Sequence, residues 1–212
     1  MIIAIDGPAA SGKGTVAKAI AAHYGLEHLD TGLLYRATAA AVRKMGAAAD
    51  DAQAGLRAAR ELKAGDLADT FLRNRHIGEL ASIIAAFPAV REALITMQRD
   101  FAARETGAVL DGRDIGTFIC PDADVKLFVT ASPEERARRR TLELEARGEA
   151  TPYGEVLADI RKRDERDSGR SAAPLKMAED AVLLDTTELD AQAAIAAGIA
   201  AVEAVLRSQQ GQ

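Results

Sequence analysis

An α/β fold with an open, five-stranded parallel sheet is the architecture that this 212-residue sequence predicts. Two observations lead to it. Short apolar runs alternate with stretches of helical periodicity, which is the pattern of parallel strands joined by crossover helices. A glycine-rich segment, residues 7–15, lies between the first apolar run and the first helical stretch, as a phosphate-binding loop (P-loop) requires. The length suits one substantial core, so we expect a single domain over residues 1–212.

The predicted strands are short and apolar. They lie at residues 2–5, around 26–29, and at 108–110, 125–130 and 181–184. In an open parallel sheet, ligands bind beyond the carboxyl ends of the strands. Polar motifs follow two of these strands, Asp30-Thr31-Gly32 and Asp111-Gly112-Arg113-Asp114, and both are site candidates. Asp185, after the fifth strand, is predicted to cap the last helix instead.

The P-loop predicts that the protein binds the phosphates of a nucleotide. Its residues are Gly7, Pro8, Ala9, Ala10, Ser11, Gly12, Lys13, Gly14 and Thr15. Glycines let successive N–H groups point at anionic oxygens, and the following helix directs its positive dipole end there. Lys13 would reach the β- and γ-phosphates, and Thr15 or Ser11 offers a hydroxyl. Gly14 separates the lysine from Thr15, and this variant of the motif is typical of small kinases of nucleoside monophosphates. The alternative is a glycine-rich turn with an incidental lysine.

A long helical excursion is predicted between the second and third strands. Its helical segments lie at residues 32–45, 51–62, 78–87 and 90–104, and Pro88 interrupts them. The polar start of this excursion includes Tyr35 and Arg36, and the guanidinium of Arg36 suits phosphate oxygens. A helix cap at Asp30 or Thr31, with Arg36 as a solvated charge, is the alternative.

A second excursion follows the fourth strand. Ser132 and Pro133 predict the start of a helix, and Gly148, Pro152 and Gly154 predict a mobile tip. The last helix, residues 191–206, has an apolar side that predicts packing, and residues 208–212 are predicted to be a frayed tail.

Arginines are concentrated in the second excursion, although the chain as a whole carries a net charge of −5. They are Arg136, Arg138, Arg139, Arg140, Arg161, Arg163, Arg166 and Arg170. Like charges at helical spacing repel, and a polyanion between the two segments would offset that repulsion. Phosphoryl transfer needs such an arrangement. For each single arginine, a solvated helix face remains the alternative.

Composition excludes several classes of protein. The acidic balance argues against a nucleic-acid surface, which needs a basic patch. The single cysteine, Cys120, cannot form an internal disulfide, and we expect it to be a buried, inert thiol in a reducing cytoplasm. No apolar run reaches membrane-spanning length and no export signal opens the chain. We therefore expect a cytoplasmic protein with no membrane and no nucleic-acid partner.

Several motifs, in order along nearly the whole chain, resemble those of the bacterial cytidylate kinase family. They are the P-loop with the preceding Ile5-Asp6, Leu29 to Gly32 with Tyr35-Arg36, Ala81-Ser82 with Ala85 to Arg91, Asp111 to Thr117, and Arg163 to Leu175. The P-loop is common to many kinases, but DGRDIGT and the RDxRD…APL block are more specific. The resemblance implies the three-layer P-loop kinase fold, with a helical nucleoside-monophosphate (NMP) insertion at about 36–105 and a short lid at about 139–155.

The resemblance also implies the reaction and the residues that carry it. The γ-phosphoryl of ATP would pass to CMP or dCMP, with Mg²⁺ as cofactor, Thr15 as its protein ligand, and Lys13, Arg113 and Arg170 as the catalytic residues. Ser82, Arg91 and Asp114 would contact the cytosine, whose amino group a carboxylate can accept from. The CMP phosphate would lie against Arg36, Arg113 and Arg170, and the sugar against Thr31, Tyr35, Arg163 and Asp167. We expect a monomer.

Two features depart from the family pattern. Residues 62–77 are too few to hold the short β-sheet excursion that many members carry, so we expect a trimmed insertion. Thr31 stands where serine is common, and its extra methyl group could crowd the sugar.

Three other functions fit parts of the pattern. A kinase for AMP, UMP or a hydroxylated metabolite could use the same P-loop. A GTP-binding regulator would need an Asn-Lys-x-Asp motif, but the single asparagine, Asn74, precedes Arg75. A module that binds ATP without catalysis would show no turnover that depends on an acceptor.

Overall fold

The computed structural model describes residues 1–68 and 70–210. Its sheet has five parallel strands in the order β2-β3-β1-β4-β5. The strands are β1 (Ile2–Asp6), β2 (Glu27–Asp30), β3 (Ala108–Gly112), β4 (Val125–Thr130) and β5 (Val182–Asp185). The predicted α/β class and all five predicted strands are confirmed, with ends that differ by one or two residues.

Eight α-helices surround the sheet in the described part of the chain. They are α1 (Lys13–Tyr24), α2 (Thr31–Lys44), α3 (Ala52–Glu61), α4 (Arg75–Ile84), α5 (Pro88–Ala102), α6 (Pro133–Ala146), α7 (Tyr153–Ser168) and α8 (Ala191–Gln210). Shorter helices are the 3₁₀ segments Ala64–Ala68 and Thr70–Arg73 and the π-helix Ile115–Ile119. No strand lies between α3 and α4 among the described residues, as the trimmed insertion requires; Asp69 lies outside them.

Helices cover both faces of the sheet because successive strand residues point to opposite sides. Ile3 and Ile5 of β1 pack with α1 and α8, whereas Ala4 packs with α2 to α5. The structure therefore has the three layers of the predicted fold, with the sheet between two layers of helices. A separate small cluster, which includes Ala137, Leu144 and Val156, joins α6 to α7 at one end of the sheet.

Helix starts follow local capping chemistry. Ser132 accepts a hydrogen bond from the Glu135 N–H, and Pro133 occupies the first position of α6, as predicted. Asn74 accepts from the Ile77 N–H at 2.8 Å, so α4 begins three residues before the predicted start at Gly78.

Two predictions about the last helix are wrong. Asp190 caps α8 by accepting from the Ala193 N–H at 2.8 Å, whereas Asp185 bonds to Thr187 in the turn before it. The helix continues to Gln210 rather than fraying at residue 208, and Gln209 donates to the Asp124 carbonyl. Gly211 and Gln212 of the predicted tail lie outside the described residues.

By length and composition α8 could cross a membrane, but helices that pack on a core meet the same test. Gly198 of α8 lies so near α1 that an added Cβ would be 2.5 Å from Val16 Cγ1. Ala194 and Val202 are buried in the core cluster beneath α8.

Candidate active site

The P-loop joins β1 to α1, and two of its glycines cannot be replaced without strain. Gly7 has φ of 153°, and an added Cβ would lie 2.0 Å from the Val129 carbonyl oxygen. Gly12 has φ of 86° and precedes the first residue of α1. Such backbone geometry favours glycine, since other residues rarely adopt it. The loop therefore has the curled form in which N–H groups can surround an anion.

A cavity of about 450 Å³ lies against this loop. Ligand sites commonly have volumes of roughly 300–1,000 Å³, so the cavity has room for a nucleotide. Six of the nine predicted ATP-binding residues line it: Ala9, Ala10, Gly12, Lys13, Gly14 and Thr15. The other three, Gly7, Pro8 and Ser11, do not reach its wall. The Oγ of Ser11 is buried without a hydrogen-bond partner among the described residues.

Lys13 lies in this cavity with its ammonium group 3.2 Å from the Pro8 carbonyl oxygen. Burial, and then the positive charge of Arg113, lower the pKa of Lys13 to about 7. An anion beside the ammonium would restore its charge, since opposite charges favour the ionised form.

A second, smaller cavity of about 50 Å³ adjoins the first. Nine of the ten predicted CMP-binding residues line it: Thr31, Tyr35, Ser82, Arg91, Arg113, Asp114, Arg163, Asp167 and Arg170. The tenth, Arg36, lines the larger cavity. Arg113 and Arg163 line both cavities, so the two meet at a pair of guanidinium groups. The volume is far below that of common ligand sites, so these walls would have to separate before a ligand of nucleotide size could enter.

The three residues predicted to contact cytosine lie together. The guanidinium of Arg91 donates to the carboxylate of Asp114, and both side chains are buried. Arg91 also lies 5.6 Å from the ring centroid of Tyr35. The Oγ of Ser82 is buried and has no hydrogen-bond partner in the described part of the chain. This wall therefore presents one free hydroxyl beside a charged pair.

Asp167 gathers three of the predicted arginines. Its carboxylate lies 2.8 Å from Arg113 Nε and 2.9 Å from Arg170 Nη2, while Arg163 Nε is 3.8 Å away. Burial alone would raise the pKa of Asp167, but Arg113, Arg163 and Arg170 outweigh it and hold the pKa at about 2. One permanent anion thus orients three cations that face the two cavities.

Arg36 is held by backbone carbonyl groups rather than by an acid. Its Nη1 donates to the Leu72 carbonyl at 2.7 Å and to the Asn74 carbonyl at 3.2 Å. Burial, and then Arg140, lower the pKa of Arg36 to about 10. Arg163 has a pKa lowered to about 9 by burial and by Arg113. The cations of the larger cavity therefore destabilise one another.

The arginines of α6 have different surroundings. Arg136 makes a two-pronged ion pair with Asp164, and Arg138 is exposed and pairs with Glu135. Arg139 donates to Thr186 and to the Leu189 carbonyl. Arg139 and Arg140 both line the larger cavity, and Arg140 pairs there with Glu143, which lines it too. Of the predicted helix arginines on α7, Arg161 is exposed and pairs with Glu134, and Arg166 pairs with Glu79.

Cys120 is buried, and burial raises the pKa of its thiol to about 11, so it is inert as predicted.

Asp30 and Asp111 belong to the two polar motifs that were named as site candidates because they follow strands, and both line the larger cavity. Arg73, Arg75, Glu79 and Asp159 also line it and were not predicted. Arg73 and Arg75 come from the trimmed segment, where no periodic pattern gave a signal.

A P-loop below one cavity, and a second cavity across the strand ends, define this protein as a P-loop kinase of the nucleoside monophosphate type. A sequence model of the family described as cytidylate kinase matches residues 3–204. The chain belongs to the cytidylate kinase family, which confirms the resemblance of its motifs.

Curated relatives carry the same name. The cytidylate kinase of Methylocella silvestris is 63% identical over 96% of this chain and 94% of its own length. That of Azorhizobium caulinodans is 63% identical over 96% and 98%, and that of Rhodopseudomonas palustris strain HaA2 is 60% identical over 97% of each. A crystal structure of an uncharacterized protein from Eubacterium ventriosum covers 96% of this chain and 98% of its own, with a TM-score of 0.54 at 16% identity. That likeness concerns the fold alone.

Proposed function

We propose that this chain transfers the γ-phosphoryl of ATP to CMP or dCMP, which gives CDP or dCDP and ADP. The observation that carries the proposal is the meeting of the two cavities at Arg113 and Arg163, with the P-loop on one side and the predicted cytosine residues on the other. The names of the curated relatives support the same acceptor.

ATP binds along residues 7–15. Backbone N–H groups of the P-loop and the start of α1 surround its phosphates, and Lys13 contacts the β- and γ-phosphates. The phosphates also restore the charge of Lys13, whose pKa is otherwise depressed.

CMP binds with its base in the smaller cavity. Asp114 accepts from the exocyclic amino group, and Arg91 and Ser82 donate to the ring acceptors. Uracil would place a carbonyl oxygen against the Asp114 carboxylate. Such a mismatch leaves buried polar groups unpaired, so discrimination can be large.

The sugar and phosphate of CMP lie between the base and the P-loop. Thr31, Tyr35, Arg163 and Asp167 surround the sugar. Arg36, Arg113 and Arg170 hold the phosphate, and both Arg113 and Arg170 are already oriented by Asp167.

The transfer itself depends on positioning and charge. Lys13, Arg113 and Arg170 stabilise the charge that develops on the moving phosphoryl group. From the lid, Arg140 acts with them, because it lines the larger cavity with Glu143 as its ion-pair partner, whereas Arg139, which also lines the cavity, is held by Glu135, Thr186 and Leu189. Closure of the lid, residues 139–155, over the insertion, residues 36–105, excludes water.

Mg²⁺ fits the donor set of the larger cavity. Thr15 and Asp111 both line it, and their oxygen atoms are the hard ligands that Mg²⁺ prefers. An added Cβ at Gly14 would lie 3.7 Å from Asp111 Oδ2, so this carboxylate lies beside the P-loop. One or two protein ligands suffice, since Mg²⁺ keeps waters and substrate phosphates. When bound, Mg²⁺ neutralises charge on the β- and γ-phosphates.

The remaining features follow the composition. The protein is a cytoplasmic monomer whose partners are ATP and CMP or dCMP, with no nucleic acid and no membrane. Its acidic balance supports the absence of a nucleic-acid partner, and its single inert cysteine supports a reducing, cytoplasmic location.

A substrate panel tests the function. ADP release is measured with ATP, Mg²⁺ and CMP, dCMP, UMP or AMP. We expect CMP and dCMP to be used at least 10²-fold better, by kcat/KM, than UMP or AMP. Equal use of UMP, or ATP hydrolysis that does not depend on an acceptor, would contradict the proposal.

A further inference from the structure

Asp6 is a buried carboxylate at the junction between the two binding regions. It is the last residue of β1 and directly precedes Gly7 of the P-loop, and its side chain is 4% exposed. Its Oδ1 accepts from the Ile115 N–H and its Oδ2 from the Gly116 N–H, each at 2.8 Å. Both bonds cross more than 100 residues of sequence.

The turn that Asp6 holds is the one that carries the acceptor residues. Ile115 and Gly116 directly follow Arg113 and Asp114, and they begin the π-helix. The two hydrogen bonds that these peptide N–H groups donate to one buried carboxylate fix their position and orientation. The side chains of Arg113 and Asp114 therefore start from a backbone that is tied to the first residue before the P-loop.

Packing around this contact is close. An added Cβ at Gly116 would lie 3.1 Å from Lys126 Cδ and 3.5 Å from Asp6 Oδ2. The turn has little room to move unless the Asp6 carboxylate moves with it. A buried carboxylate is costly to desolvate, and an apolar residue here would leave two buried N–H groups unpaired.

We propose that Asp6 is a positioning residue that keeps the Arg113–Asp114 turn in register with the P-loop, and thereby sets the affinity for the acceptor nucleotide. The inference rests on the proposed function, because it assigns Arg113 and Asp114 to CMP. Asp6 itself touches neither substrate. Its loss affects CMP far more than ATP, since the P-loop keeps its glycine geometry.

Titration of Asp6 gives the proposal a second consequence, a pH dependence that can be measured in the wild-type protein. Burial raises the pKa of Asp6 to about 7, although the hydrogen bonds from the Gly116 and Ile115 N–H groups lower it. The nearby charge of Asp114 raises the pKa, and that of Arg113 lowers it. Cys120 also lies near it, and Lys126 packs beside the turn from β4. Protonation below pH 7 removes one accepting oxygen, so the turn loosens as the pH falls and tightens as it rises.

Separate binding titrations of CMP and ATP test the proposal in Asp6→Asn and Asp6→Ala. Asparagine keeps the shape but only one acceptor. We expect the Kd of CMP to rise about tenfold in Asp6→Asn and further in Asp6→Ala, with the Kd of ATP within twofold of the wild type. The matched control is Asp124→Asn, because Asp124 accepts from the Ile2 N–H at the other end of β1. This control should leave both Kd values unchanged.

Equal weakening of CMP and ATP would overturn the proposal in favour of a general structural role, and so would an unchanged Kd for CMP. If both variants fail to fold, amide exchange in the ligand-free wild type decides. We expect the protection factors of Ile115 and Gly116 to fall at least threefold from pH 8 to pH 6; constant protection would overturn the proposal. Wild-type turnover of CMP is measured alongside, so that failure of the proposed function is seen separately.

Discussion

The two cavities hold their charges in opposite ways. Around the P-loop the cations are crowded, and burial with neighbouring arginines lowers the pKa of Lys13 and of Arg36. Around the smaller cavity the cations already have partners, because Arg91 pairs with Asp114 and Arg170 pairs with Asp167. Any anion of high charge density stabilises the first region, which therefore supplies affinity. Only a ligand whose polar edge can bond to the existing ion pairs stabilises the second region, which therefore supplies selectivity.

Lys13→Ala removes one of the crowded cations of the larger cavity and should have the largest effect on turnover. Removing the cation that faces the β- and γ-phosphates should lower kcat by roughly 10²–10³-fold, the usual cost of losing one transition-state contact. The Kd of CMP should stay within about threefold, since the smaller cavity is intact. Steady-state kinetics and a CMP titration measure the two effects. Lys44→Ala, at the exposed end of α2, is the control. A near-normal kcat would remove Lys13 from the mechanism.

Proton uptake on ATP binding is a second, smaller effect that tests whether the cations of the larger cavity are destabilised before ATP binds. With its pKa at about 7, Lys13 is mostly neutral at pH 8.5 and mostly charged at pH 6. Bound phosphates favour the charged form, so ATP binding should take up close to one proton at pH 8.5. Calorimetry in buffers of different ionisation enthalpy measures this uptake. The uptake should disappear in Lys13→Met, and its absence from the wild type would show that Lys13 is charged before ATP binds.

The fold followed from the sequence because its signals are local. Periodicity placed a helix directly after the P-loop, where α1 lies, and found every strand of the sheet. The cap of α8 was misassigned because Asp185 and Asp190 are both plausible caps, and only the path of the turn decides between them. The P-loop could be predicted for the same local reason, since its residues are contiguous.

The acceptor region could not be derived from spacing. Its residues come from four separate parts of the chain. Position after a strand marked Thr31, Arg113 and Asp114 as candidates, but only the resemblance to a family added Ser82 and Arg91 and gave each residue a role. The ion-pair partners of the arginines could not be predicted either. Nothing in the sequence indicates that Arg136 pairs with Asp164 while Arg140 lines the larger cavity. Asp6 gave no signal, because its partners are backbone groups of Ile115 and Gly116.

The selectivity of the smaller cavity rests above all on the carboxylate of Asp114. The ratio of kcat/KM for CMP to that for UMP, compared between the wild type and Asp114→Asn, tests this directly. An amide can donate to the uracil carbonyl where a carboxylate cannot, so the ratio should fall by at least 10²-fold in the variant. Because both substrates use one protein preparation, any general loss of stability cancels. An unchanged ratio would contradict the assignment of Asp114 to the cytosine edge.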